Sequence, residues 1–259
     1  RNQPSARRSF TWGLMATPVK PLPKGWQTLR FGSPHTPADI HVLWSTVRSS
    51  QWHSFPVPVD DAWYREQVAR DHNAKRRFVP YTNFNMQSDT GADWGYWGET
   101  WSAYAGEGKA ADVLAMNVVN VRCCAATTAW CDFITWTYKE FIEEFDSDGF
   151  YLDNSIPHVC RNTRHPPEHH NRRHIFAARE LMKRFYAITK QNDPDNVMVC
   201  HMSSRPCLPL LSFCDAIVDG EQYGYILDEN FDGHYMPITP LDRVRAELMA
   251  WPWGVVPFY

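Results

Sequence analysis

The sequence predicts an α/β protein of the (β/α)8 class, a TIM barrel, with the chain running out near the last strand. Three observations carry that expectation. Short apolar runs alternate with amphipathic stretches, the pattern of a parallel sheet with helical crossovers. The 259 residues match the roughly 250 that one such barrel needs. An open doubly wound sheet is the rival fold, and neither G-x-G-x-x-G nor G-x-x-x-x-G-K-[ST] occurs to support it.

Taken in order, a first strand is expected at 10–18 (FTWGLMATP) and, after a proline-rich stretch, a second at 40–45. Residues 60–74 begin with two capping acids and read as a helix. A third strand, 77–84, leads into a long Gly- and Trp-rich loop, 85–111. Loops of that length are functional or disordered, and the aromatics speak against disorder. The clearest helix is 128–145, with Phe133, Trp136, Tyr138, Phe141, Ile142 and Phe145 at helical spacing. The turn Asp146-Ser147-Asp148-Gly149 then opens a buried strand at 150–153. Helices at 172–190, 208–213 and 240–250 alternate with strands at 197–202, 215–219 and 253–258.

Composition narrows the partners. The net charge is −3 with scattered Lys and Arg, which argues against nucleic acid. No run of 18 apolar residues exists, so no membrane span is expected. Many of the 12 Trp, 11 Tyr and 14 Phe lie in polar, Gly-rich segments. That mixture suits carbohydrate, whose C–H faces stack on rings while its hydroxyls need polar partners. The seven Cys form no C-x-x-C pair and read as small buried hydrophobes. The chain begins without Met and ends on a strand, so it is expected to be a segment of a longer protein.

Barrels present their chemistry at the C-terminal strand ends. Those ends hold Asp153, His201, Asp219 and Glu221. Two carboxylates facing each other across a barrel mouth suit hydrolysis of a glycosidic bond. One protonates the leaving oxygen, and the other supplies or positions a nucleophile. Asp153 is expected as the nucleophile or orienting carboxylate. Glu221, beyond Gly220 and with the longer stem, is expected as the acid/base in the more apolar setting, with Asp219 as fallback. Asn154, His201 and Tyr223, with Trp94, Trp97 and Trp101 clustered at the mouth, are the expected sugar contacts. The run RNTRHPPEHHNRRH at 161–174 places His170 and His174 at i, i+4, but no H-E-x-x-H occurs and the run reads as a solvated loop. No metal or cofactor is therefore expected. A non-catalytic carbohydrate-binding barrel and a metal-dependent hydrolase using the His-rich run are the alternatives.

Gly149-Phe150-Tyr151-Leu152-Asp153-Asn154 resembles the fourth-strand motif of barrel glycoside hydrolases, as in the α-galactosidase and α-glucosidase clan. That resemblance implies a nucleophilic Asp153 and an acid/base after the sixth strand, where Asp219-Gly220-Glu221 stands. The opening GLMATPVKP at 13–21 and the stretch 212–223 are similar to large bacterial proteins near glycoside hydrolase family 123. This implies a periplasmic or extracellular polysaccharide-degrading enzyme with flanking β-domains. Family 123 uses an adjacent Asp-Glu pair and the substrate's own acetamide. Here Asp153 is followed by Asn154, and the adjacent pair is Asp228-Glu229, in a later loop.

Overall fold

A computed structural model of the protein describes residues 10–33, 36–44, 56–105, 111–113, 119–203, 206–224, 238–247 and 250–258. Asp228 and Glu229 lie outside the described residues. Seven strands form one parallel sheet: β1 (Phe31–Gly32), β2 (Ile40–Leu43), β3 (Arg77–Asn83), β7 (Gly149–Asp153), β8 (Val197–His201), β9 (Ala216–Val218) and β10 (Val256–Phe258), in that spatial order. Between β3 and β7 the chain makes a small antiparallel sheet of β4 (Met86–Ser88), β5 (Ala111–Val113) and β6 (Val119–Arg122), ordered 4-6-5.

The sheet curls until its two edges nearly meet. The rings of Phe31 on β1 and Phe258 on β10 stack with centroids 5.3 Å apart, and Phe31 also stacks on Tyr151 of β7 at 5.5 Å. Strand side chains alternate as a pleat requires. Ile40, Val42, Val79, Tyr151, Val199, Ala216, Val256 and Phe258 fill the barrel interior. Their neighbours Phe78, Phe150, Leu152, Met198, Cys200 and Ile217 point outward under the helices. Those helices are α1 (Asp61–Asn73), α3 (Thr128–Phe145) and α4 (Ile175–Asn192), with shorter α5 (Leu208–Leu211), α6 (Leu241–Glu247) and α7 (Ala250–Trp253). Among the described residues no helix is long and apolar enough to cross a membrane. The fold is thus the barrel of alternating strands and helices that the periodicity predicts.

Local chemistry sets the ends. Asp60 caps α1 by accepting the Trp63 N–H at 2.9 Å. Gly149, at φ +125°, is forced: a Cβ there would meet the Val197 carbonyl oxygen at 1.9 Å. The bounds of α3 coincide with the predicted helix, because one face carries Trp130, Ile134, Tyr138, Phe141, Ile142 and Phe145 into the core.

Three expectations need correction. Residues 10–18 form no strand: Phe10, Trp12 and Leu14 are exposed, and β1 at 31–32 pairs with β2 instead. Pro18, Pro21 and Pro23 lack ladder donors, which disfavours continuing a strand from that run. The stretch 85–111 is not an open loop but contains β4 and a helix, α2 (Trp94–Trp101). Strand β6 was not anticipated, and β10 begins only at Val256 because 250–253 is helical.

Candidate active site

On β7 and β8 the inward-facing row turns polar at its C-terminal end. Two residues beyond Tyr151 comes Asp153, and two beyond Val199 comes His201, on neighbouring strands. His201 Nδ1 donates to Asp153 Oδ1 at 2.7 Å. Tyr81, one strand away on β3, donates its phenol hydrogen to Asp153 Oδ2. Asn154 takes the left-handed conformation (φ +50°), which Asn tolerates, and folds back on Asp153. Its backbone N–H reaches Oδ1 at 2.7 Å and its amide reaches Oδ2 at 3.0 Å.

Four donors therefore surround the Asp153 carboxylate. Burial alone would raise its pKa, but the hydrogen bonds from His201 and Tyr81 and the His201 charge outweigh that and hold it below the usual carboxylate range. Burial likewise works to lower the His201 pKa. The hydrogen bond to Asp153, with the negative charges of Asp153, Glu221 and Asp219, wins and raises it.

The other face of His201 looks to the sixth strand. Gly220, at φ +117°, turns the chain off β9 so that Glu221 opens the helical turn at 221–224. Glu221 Oε2 lies 3.5 Å from His201 Nε2, and Ser203 Oγ lies 2.5 Å from the same nitrogen. Asp153 and Glu221 thus contact opposite nitrogens of one imidazole, which sets their oxygens less than about 9 Å apart, inside the range glycosidase carboxyl pairs span. Both line a cavity of about 400 Å³, with Asn154, His201 and Ser203.

The rest of the cavity wall mixes three arginines with neutral residues, Ile156, Val159 and Gln222 among them. Arg122 from the end of β6, and Arg161 and Arg173 from the segment between β7 and α4, line it with Tyr104 and His158. None of these was singled out in the sequence, because they come from chain segments that only the fold brings together. The run 161–174 is mostly exposed, as expected of a solvated loop, but Asn162 and His165 are buried. A bridge from Cys160 to Arg172 closes the segment on itself, and one from Tyr104 to Arg161 ties it to the chain after α2.

Several expected site residues lie elsewhere. Asp219 is not in the cavity wall; its carboxylate accepts the Gly220 N–H at 2.8 Å. Tyr223 is buried beside Arg243, whose guanidinium lies 5.5 Å from its ring, and is not part of that wall. Trp94 and Trp101 are buried, and Trp101 stacks on Phe133 of α3 at 4.4 Å and meets Trp130 at 5.5 Å. Trp97 stacks on Trp101, half-exposed, outside the cavity. The tryptophans of α2 are therefore packing against an outer helix rather than a platform at the mouth. Nor is Glu221 in an apolar setting: its side chain is 57% exposed, against 18% for Asp153. Tyr104 is the aromatic in the cavity wall, and an exposed aromatic, Trp44, stands just past the end of β2. It is 42% exposed and packs on Tyr81 and Tyr151 at 5.2 and 5.6 Å, one ring away from Asp153. Its place at a strand end was the available signal.

No protein-family model and no curated sequence matches this chain. Solved structures match it in fold. An alpha-amylase from Lactobacillus plantarum superposes with TM-score 0.56 at 11% identity, over 85% of this chain and 54% of that one. A noncanonic maltogenic alpha-amylase from Thermotoga neapolitana gives 0.53 at 12%, over 85% and 50%. A cycloisomaltooligosaccharide glucanotransferase from Paenibacillus sp., complexed with cycloisomaltoheptaose, gives 0.53 at 11%, over 74% and 34%. The chain spans between a third and just over half of these proteins' lengths. The class is set by this likeness of fold: the chain is a (β/α) barrel of the kind found in glycoside hydrolases.

Proposed function

We propose that the protein is a glycosidase in which Asp153 is the anionic partner of the sugar ring and Glu221 the acid/base. The observation that carries this reading is the single cavity into which both carboxylates open, on opposite sides of His201. Their positions, on the fourth strand and after the sixth in the order of the parallel sheet, are also those implied by the resemblance to the α-galactosidase and α-glucosidase clan.

The two carboxylates are built for different work. Asp153 is fixed by four donors and stays charged, which suits a group that faces developing positive charge at the anomeric carbon. Glu221 is exposed and meets the His201 imidazole at 3.5 Å, so it can pass a proton to the leaving oxygen and regain one from His201. Trp44 offers a stacking face next to this pair.

The lining also favours a substrate class. Three guanidinium groups share the cavity with the two carboxylates, and among the described residues neither Arg161 nor Arg173 is ion-paired. Guanidinium forks match carboxylate and sulfate oxygens, so an anionic sugar, a uronate or a sulfated residue, fits better than a neutral one. A panel of aryl glycosides carrying neutral, uronic and sulfated sugars tests both parts. Turnover confined to acidic members is expected. Turnover of neutral members alone contradicts the substrate class. Sugar binding without any turnover contradicts the enzyme and leaves a carbohydrate-binding barrel.

A further inference from the structure

Next to the cavity, but sharing no residue with its wall, lies a second cluster. Cys124 follows β6, Cys160 and His165 belong to the segment between β7 and α4, and all three are buried. One sulfur or nitrogen from each lies within 4.8 Å of the others, and Cys124 stands in the same relation to His169 and His174. Cys160 Sγ is 3.2 Å from His165 Nδ1.

The imidazoles are held in one tautomer. His165 Nε2 donates to the Thr100 carbonyl at 2.8 Å, and His174 Nε2 donates to the His169 carbonyl at 3.0 Å. A carbonyl only accepts, so each neutral ring keeps its lone pair on Nδ1. For His165, whose Nδ1 faces Cys160 Sγ, a carbonyl partner on the far nitrogen is the arrangement that orients a metal-ligating histidine. For His174 the same kind of bond ties its ring to the His169 backbone. His169 Nδ1 is buried with no hydrogen-bond partner, which is costly for a polar atom unless something else binds it.

We propose that Cys124, Cys160, His165 and His169 form a structural zinc site, with His174 positioning His169. Two sulfurs and two imidazole nitrogens are the donor set that tetrahedral zinc takes, and four protein ligands leave no open position for catalysis. Binding releases the two thiol protons to solvent. A surface depression lined by Thr127, Arg164, His165 and His169 gives the ion access. The site explains how the segment 154–174 is held. Among the described residues the apolar cluster beneath it is small, Ala103, Cys124 and Cys160 with Tyr104 and Ala126 against them, yet the segment carries Asn154, His158, Arg161 and Arg173 of the cavity wall. A metal staple adds to the hydrogen bonds that Asn162 and His165 make to the end of α2.

The test is metal content of the whole chain, expressed without a metal-affinity tag and purified under reducing conditions. About one zinc per chain is expected, released when both thiols are titrated with a mercurial. Cobalt substitution should add a thiolate-to-cobalt charge-transfer band. Cys124→Ser, Cys160→Ser and His169→Ala should lose the zinc, whereas His174→Ala should keep it with affinity lowered about 10- to 100-fold. If those variants fail to fold, titration of chelator-stripped wild-type protein with zinc ion alone decides. No uptake by reduced wild-type protein, or a mass two hydrogens lower from a Cys124–Cys160 disulfide, overturns the site. Loss of zinc in His174→Ala with retention in His169→Ala overturns the assignment of the fourth ligand.

Discussion

Asp153 and Asp215 sit at opposite ends of the same parallel sheet, one finishing β7 and the other just before β9. Their side chains are almost equally covered, 18% and 21% exposed, and both are held below the usual carboxylate range despite burial. The means differ. Asp215 lies between two lysines, Lys20 and Lys190, each 2.9 Å away, and also accepts the Met198 N–H at 2.9 Å. Asp153 is held by a phenol, an amide, a backbone N–H and a titratable imidazole, and it opens into the cavity with Glu221. The comparison teaches that a depressed carboxylate pKa marks neither function nor stability by itself. Fixed cations at the closed end of a barrel make a brace. A titratable chain at the open end makes a site that can move a proton.

Substitution should separate the two. Asp153→Asn keeps size but removes the charge and one acceptor oxygen, so turnover per folded molecule should fall by at least about a thousandfold, with some loss of stability beside it. Glu221→Gln should slow glycosides with poor leaving groups by about a hundredfold and activated aryl glycosides far less, since only the former need protonation. Asp215→Asn should do the reverse of Asp153→Asn. It leaves two lysines facing each other and should cost about 2 kcal/mol in denaturant unfolding, with turnover per folded molecule unchanged. A large activity loss in Asp215→Asn would break the comparison.

pH sharpens it. Both aspartates have lowered pKa values, so the stability each contributes is present above the ordinary carboxylate pKa and is lost as pH falls through the folded value. His201 has a raised pKa. Its contribution is complete below the ordinary imidazole range and fades as pH rises through the raised value. The alkaline limb of kcat/KM should therefore lie above the ordinary imidazole range and vanish or move in His201→Gln, whereas Asp215→Asn leaves it in place. The smallest effect is expected for Trp44→Ala, which should weaken sugar binding about 10-fold or less, as loss of one stacking face would. Titration with the cleaved product checks this.

Much of this was legible in the sequence where one local rule decided the outcome. The face of α3 could be read because its aromatic spacing and its burial agree. The position of Asp153 could be read because an apolar triplet leaves a charge nowhere but the strand mouth. That Glu221 lies past the strand end followed from the glycine before it, but its exposed setting did not. What was not legible depended on partners distant in sequence. The α2 tryptophans look like a polar-loop platform until Trp130 and Phe133 of α3 present a surface for them. Trp44 gains meaning only when Tyr81 and Tyr151 come alongside. The arginine wall and the Cys–His cluster each draw on β6 and on the segment before α4. Cys124 and Cys160 therefore show no metal-binding spacing in the sequence.

The central claim, that the open-end aspartate does chemistry and the closed-end one does not, is tested most directly by one paired assay. Asp153→Asn and Asp215→Asn are measured for hydrolysis of the same aryl glycoside that the wild-type protein cleaves, each sample scored for its folded fraction. The account predicts near-complete loss of turnover in folded Asp153→Asn and wild-type turnover per folded molecule in Asp215→Asn. Full turnover in Asp153→Asn would contradict it.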